Sequence, residues 1–136
     1  MCKLFAHLSP EELASLDGIV QESFEEKGTV LAQTGQLMES FGVLASGKVD
    51  VEGVGKVDGV HERGWSFGAE SVLTVAPSPV RVVVLEDCLL LKVARSDLMA
   101  LMRREPGLAV KLLFAVVQET TDQLQELRGL VTRPQR

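Results

Sequence analysis

Residues 64–93 read GWSFGAESVLTVAPSPVRVVVLEDCLLLKV. Gly64 and Gly68 punctuate a turn around Trp65-Ser66-Phe67, and Ala69-Glu70-Ser71 follows as a small polar segment able to start a short helix. A Pro77-Ser78-Pro79 loop leads into two β-prone runs, Val80–Leu85 and Cys88–Val93, separated by Glu86-Asp87. A glycine turn feeding a short helical cassette in a β-rich setting is a scaffold for an anion cradle. Glycine lets the backbone come close to a ligand, and free amides at the helix start face it.

Upstream, the same β-rich character continues. Between Ile19 and His61 short apolar runs alternate with glycines. Thr29–Ala32, Phe41–Leu44 and Lys48–Val51 read as strands, Ala45-Ser46-Gly47-Lys48 as a turn, and Val54–Val60 as a further hairpin. Turns this close together predict a compact antiparallel roll or barrel. Ahead of it, Leu8-Ser9-Pro10-Glu11-Glu12-Leu13 predicts a helix start. Ser9 can cap, Pro10 suits the first position, Glu12 completes a capping box, and Leu8 can staple to Leu13; Gly18 ends the helix.

Downstream of Val93 the period becomes helical. Ser96 can cap a segment through Arg104, and Glu105-Pro106-Gly107 separates it from a longer helix over about Leu108–Leu127 or beyond. On that helix Leu113, Val117, Thr120, Leu124, Leu127 and Val131 recur at steps of four and three, the seam spacing of a coiled coil. Helix packing on the chain's own β core accounts for the apolar residues before Val117. Beyond Gln118 one stripe stands among polar residues, which predicts a homodimer.

The totals exclude several classes. The 136 residues suit one domain with a real core, and 46% apolar with 24% charged residues is ordinary globular composition. No apolar run approaches the length of a membrane-spanning helix, and the first residues lack a secretory h-region, so a cytoplasmic location is expected. A net charge of −5 argues against nonspecific binding to nucleic acid. Cys2 and Cys88 form no framework and no metal spacing. His7 and His61, the two histidines, sit in no triad or ligand pattern. Glu11-Glu12 and Glu25-Glu26 are sequence neighbours whose side chains diverge. No catalytic residue, metal site or resident cofactor is therefore expected, and the chain does not read as an enzyme.

Taken together, Leu8–Leu13, Gly28-Thr29-Val30-Leu31, Val43–Val49, Gly64–Gly68 and Val82–Val93 with Ser96-Asp97-Leu98 resemble the cyclic nucleotide-binding domain family. These effector modules occur in catabolite-activator-type transcription factors, kinase regulatory subunits and cyclic nucleotide-gated channels. The resemblance covers nearly the whole chain, as a single domain over 1–136. It implies a mainly β fold, an eight-stranded antiparallel β-roll of jelly-roll type over 19–93, with an N-terminal helical segment over 1–18 and C-terminal helices over 94–136.

The family's cassette carries a glutamate directly after Phe-Gly, which holds the ribose, and an arginine further on for the cyclic phosphate. Here Ala69 stands at the first position and Ser78 at the second. Glu70, one residue late, and Arg81, three residues late, are the alternative pair. A slip of one residue turns a helical side chain by about 100°. Arg81 also has the opposite strand parity to Ser78, unless a bulge at Pro77-Ser78-Pro79 resets it. The resemblance thus makes Gly68, Ala69, Glu70, Ser71, Ser78, Pro79 and Arg81 the pocket candidates, with Gln123 of the long helix as a base contact. It implies a non-catalytic regulatory or interaction module with a degenerate pocket. The alternative is a cyclic AMP or cyclic GMP sensor working through Glu70 and Arg81. An unidentified protein partner fits the first reading. No helix-turn-helix segment follows the long helix before Arg136, so direct DNA binding by this chain is not expected.

Overall fold

Two long strands carry the architecture, and both run across positions where a break is expected from the sequence. The computed structural model describes residues 5–53 and 58–131, with side chains described throughout except at 119–120, 122–124 and 126–131. In chain order the elements are α1 (Pro10–Asp17), β1 (Val20–Glu25), β2 (Val30–Ala32), β3 (Ser40–Glu52), β4 (Gly59–His61) and β5 (Ser66–Phe67). They continue with α2 (Ala69–Thr74), β6 (Arg81–Ala94), α3 (Arg95–Arg104) and α4 (Pro106–Val131). The described strands form one antiparallel sheet in the order β1-β6-β3-β4, with β2 also pairing β6 and β5 pairing β3.

The sequence reading splits β3 at Ala45–Lys48 and β6 at Glu86-Asp87. The structure joins each pair of runs into one strand, so six strands are present among the described residues. Gly47 explains the difference. It has φ +90°, and the β3–β6 register shifts on both sides of it, between Leu44 and Ser46 and again before Val49. A Cβ at Gly47 would lie 2.3 Å from Cys88 Cβ and 2.6 Å from the Asp87 carbonyl. A glycine in this conformation makes a bulge that bends the pair and leaves the ladder continuous. The expected hairpin over Val54–Val60 falls partly outside the described residues; its second arm is β4.

The helices follow local signals closely. Ser9 Oγ accepts from the Glu12 amide, and Glu12 Oε1 accepts from the Ser9 amide at 2.8 Å, completing the capping box. Lys111 Nζ lies 2.6 Å from the same carboxylate oxygen, tying α1 to α4. That hydrogen bond, with help from the Ser9 amide, holds the Glu12 carboxyl below the usual carboxylate range. The cap expected at Ser96 is not used: α3 starts two residues earlier, at Arg95 behind Ala94, and has no side-chain cap. α4 begins at Pro106, whose missing N–H costs nothing at a first helical position.

Two hydrophobic clusters result. One, built from the sheet's own strands and turns, holds Leu44, Val49, Val51, Phe67, Val80, Val82, Val84 and Leu90, among others. Between the sheet and the helices lie Leu16, Phe41, Val72, Val93, Leu98, Leu101, Leu108 and Leu112, again among others. Each Val or Leu fully buried stabilises by about 1.5–3 kcal/mol, so the clusters dominate the fold's energetics.

Candidate functional site

The cassette is built as the sequence predicts. Gly68 has φ +91°, and a Cβ there would meet the Ser40 carbonyl at 3.1 Å and Phe41 Cα at 3.3 Å. Only glycine gives β5 so sharp an exit into α2. Ser71 is buried, and its Oγ accepts the Met38 amide at 2.8 Å, fastening α2 to the segment joining β2 and β3. Val75 ends α2 at φ +55°, the one described non-glycine residue with positive φ.

The candidate pocket residues have different surroundings. Ala69 is buried in the cluster between sheet and helices. Ser78 is 4% exposed and folds onto its own loop: its hydroxyl donates to the Val80 carbonyl at 2.9 Å. Its amide and carbonyl bond Gln36 and Gly35. Val80, just before β6, and Val82 and Val84 within it are buried at alternate positions, so no bulge has reset the parity. Arg81 leaves the opposite face, where its Nη1 sits 3.4 Å from Glu52 Oε1, its partner across the β3–β6 ladder. Glu70 is half-buried at the start of α2, and Pro79 is exposed. The side chain of Gln123 lies outside the described residues.

Aromatic rings pack at the cluster formed by the sheet's own strands. Trp65 stacks on Phe67 with centroids 5.4 Å apart and on His61 at 4.8 Å, and it packs against that cluster. His61, the last residue of β4, is thereby stacked against the β4–β5 connection.

Two cavities flank the β2–β3 segment. One, of about 270 Å³, lies beside Glu25, Leu31, Gly42, Phe67 and Leu90. The other, of about 660 Å³, lies between α2 and the start of α3, against Ser71, Val75, Lys92, Arg95, Ser96 and Met99. Both touch Leu37, Met38, Glu39, Ser40 and Lys92. Of the sequence-predicted pocket residues whose side chains are described, only Ser71 borders either. The larger cavity was not found from sequence because four separate elements build it. One signal was present: Lys92 is a lone charge in the apolar run Leu89–Val93, and Arg95 follows on the next element.

On α4, Leu108, Leu112 and Val116 are buried against the sheet, whereas Val110, Leu113, Phe114 and Val117 are all exposed. The spacing i, i+3, i+4, i+7 puts the exposed four on one stripe opposite the docked face. Leu113 and Val117 of the expected seam therefore lie on this stripe. The side chains of Thr120, Leu124, Leu127 and Val131 are outside the described residues, while the backbone there stays helical. Among the described residues no group of three or more His, Cys, Asp or Glu side chains could hold a metal ion. No described helix is long and apolar enough to cross a membrane.

Comparison with known proteins places this arrangement. The catabolite activator protein of Thermus thermophilus superposes with a TM-score of 0.77 at 28% identity, over 95% of this chain and 63% of that one. The N-terminal domain of a Streptomyces coelicolor transcriptional regulator gives 0.74 at 24% identity, over 89% of this chain and 90% of that one. The regulatory domain of Toxoplasma gondii PKA, co-crystallised with cAMP, gives 0.64 at 24% identity, over 74% and 40%. The chain thus spans less than two thirds of the length of the Thermus protein. No curated protein matches the sequence. The family model described as the cyclic nucleotide-binding domain matches residues 23–105, more than half of the chain. With the antiparallel sheet, its flanking helices and the Gly68 turn into α2 in place, the chain belongs to the cyclic nucleotide-binding domain family.

Proposed function

We propose that this chain is a non-catalytic regulatory module whose cassette no longer holds a cyclic nucleotide, and that it pairs with a second copy of itself through the exposed face of α4. The observation that carries the first half is the direction of Arg81. Its ion pair with Glu52 is exposed and worth at most about 1 kcal/mol, so the pair is not what keeps the guanidinium out. Strand parity does. Turning Arg81 inward by a one-residue slip of β6 would expel Val80, Val82 and Val84, at about 1.5–3 kcal/mol each. One arginine–phosphate contact returns about 1.5–3 kcal/mol, too little to offset three valines. Ala69 and Ser78 supply no charge at the two positions where the family resemblance expects one. Without the arginine contact, affinity for a cyclic phosphate falls by about one to two decades or more.

Isothermal titration with cyclic AMP and cyclic GMP tests this. The expected result is no saturable heat in the micromolar range for the wild type. Binding at low micromolar or tighter overturns the reading. Its loss in Arg81→Ala would assign the phosphate to Arg81, the shifted-register alternative in which Glu70 takes the ribose.

A further inference from the structure

We infer that the cavity between α2 and the start of α3 is a binding site for a small amphipathic organic anion, an apolar body carrying a carboxylate, outside the β-roll. Its size is the first argument. About 660 Å³ falls within the range of small-molecule sites, whereas the neighbouring 270 Å³ falls just below it.

Charge is the second argument. The larger cavity is bordered by two cations, Lys92 and Arg95, and one carboxylate, Glu39. The smaller has the reverse balance, Lys92 against Glu25 and Glu39. Lys92 Nζ is 4.0 Å from Glu25 Oε2, so its charge is already partly matched from the smaller side. Arg95, by contrast, is half-buried, and among the described residues its guanidinium has no carboxylate partner. A planar fork of donors at the edge of a cavity, with no protein anion to match it, suits a carboxylate.

The walls supply the third. Met38, Met99 and Ala94 line the cavity, and Leu37 and Val75 sit at it although 55% and 49% exposed. Large apolar side chains left open beside a cavity with one unmatched cation favour a ligand that is apolar along its length and anionic at one end. Methionine side chains adapt to such a body without a fixed shape. The site reaches the cassette directly: Ser71 and Val75 of α2 border it, and the Met38 amide is bonded to Ser71 Oγ. A bound molecule would brace α2 against α3, which gives the module an effector that does not depend on the roll.

Decanoate is a suitable probe, with decylamine as the matched cation, titrated calorimetrically into the full chain. Decanoate should bind with Kd on the order of 10⁻⁴ M, and decylamine should bind at least about tenfold more weakly. Arg95→Gln should weaken decanoate about tenfold. Glu39→Gln, which removes the one carboxylate, should tighten it, and Arg104→Gln at the far end of α3 should leave it unchanged. Equal affinity for decanoate and decylamine overturns the inference, as does unchanged affinity in a folded Arg95→Gln protein or absence of binding in the millimolar range. Competition by cyclic AMP would move the anion into the roll and also overturn it. That arm separates failure here from failure of the proposed loss of cyclic nucleotide binding, on which this site does not rest.

Discussion

Val75 pays a conformational penalty that its side chain does not visibly repay. A β-branched residue at φ +55° is strained by about 1–2 kcal/mol, and the side chain is 49% exposed. Glycine removes that strain and costs about 0.5–1 kcal/mol of extra chain entropy. Val75→Gly should therefore stabilise by up to about 1 kcal/mol, read as a rise in Tm of roughly 2–5 °C. A fall in Tm would mean that Val75 makes packing contacts stronger than its exposure implies. Cys88 shows the opposite economy. Burial first, then the nearby Glu25 and Asp87 carboxylates, push its thiol above the ordinary range, and it lies under Gly47 in the bulge. It behaves as a small apolar residue.

Between elements, the Glu12–Lys111 contact joins the first helix to the last. Because the folded Glu12 pKa is depressed, its contribution to stability is present above the ordinary carboxylate pKa and is lost as pH falls through the lowered value. Lys111→Met should lower the urea midpoint near neutral pH. The difference from wild type should shrink as pH falls below the ordinary carboxylate range and vanish once Glu12 is protonated. A difference that persists undiminished at low pH would assign the effect to packing rather than to the ion pair. The legibility of elements in the sequence follows the same division between local and distant causes. The α1 capping box, the Gly68 turn and the parity of Ser78 against Arg81 are set by neighbours within a few residues, and all are readable. The continuity of β3 is not, because Ala45-Ser46-Gly47-Lys48 has turn composition, and what makes it a bulge is Asp87-Cys88 pressed against Gly47 from forty positions away. The α2–α3 cavity is illegible for the same reason. Its residues come from β1, the β2–β3 segment, the cassette and the β6–α3 junction, and periodicity within one element cannot bring them together.

At the scale of the whole molecule, the α4 stripe is the surface on which the proposed pairing of two copies rests. The helix spans about 39 Å at 1.5 Å per residue, and its free face carries Val110, Leu113, Phe114 and Val117 in a row. Such a face self-associates most simply about a two-fold axis. Light scattering should give a dimer at tens of micromolar for the wild type and a monomer for Phe114→Glu. Because Phe114 is 61% exposed, the monomer should keep its far-UV circular dichroism. A wild-type monomer at that concentration rules out the stripe as a self-interface. The sheet order also governs when this protein can fold during its synthesis. β6 is the partner of β1, β2 and β3, so strands made early have to wait for one made late. Until Arg81–Ala94 has left the ribosome, the described pairings open to the nascent chain are β3 with β4 and β3 with β5. The sheet therefore assembles from its C-terminal strand backward, with β1 and the apolar side of β3 uncovered in the meantime. That interval is when the chain is most exposed to aggregation or capture by a chaperone.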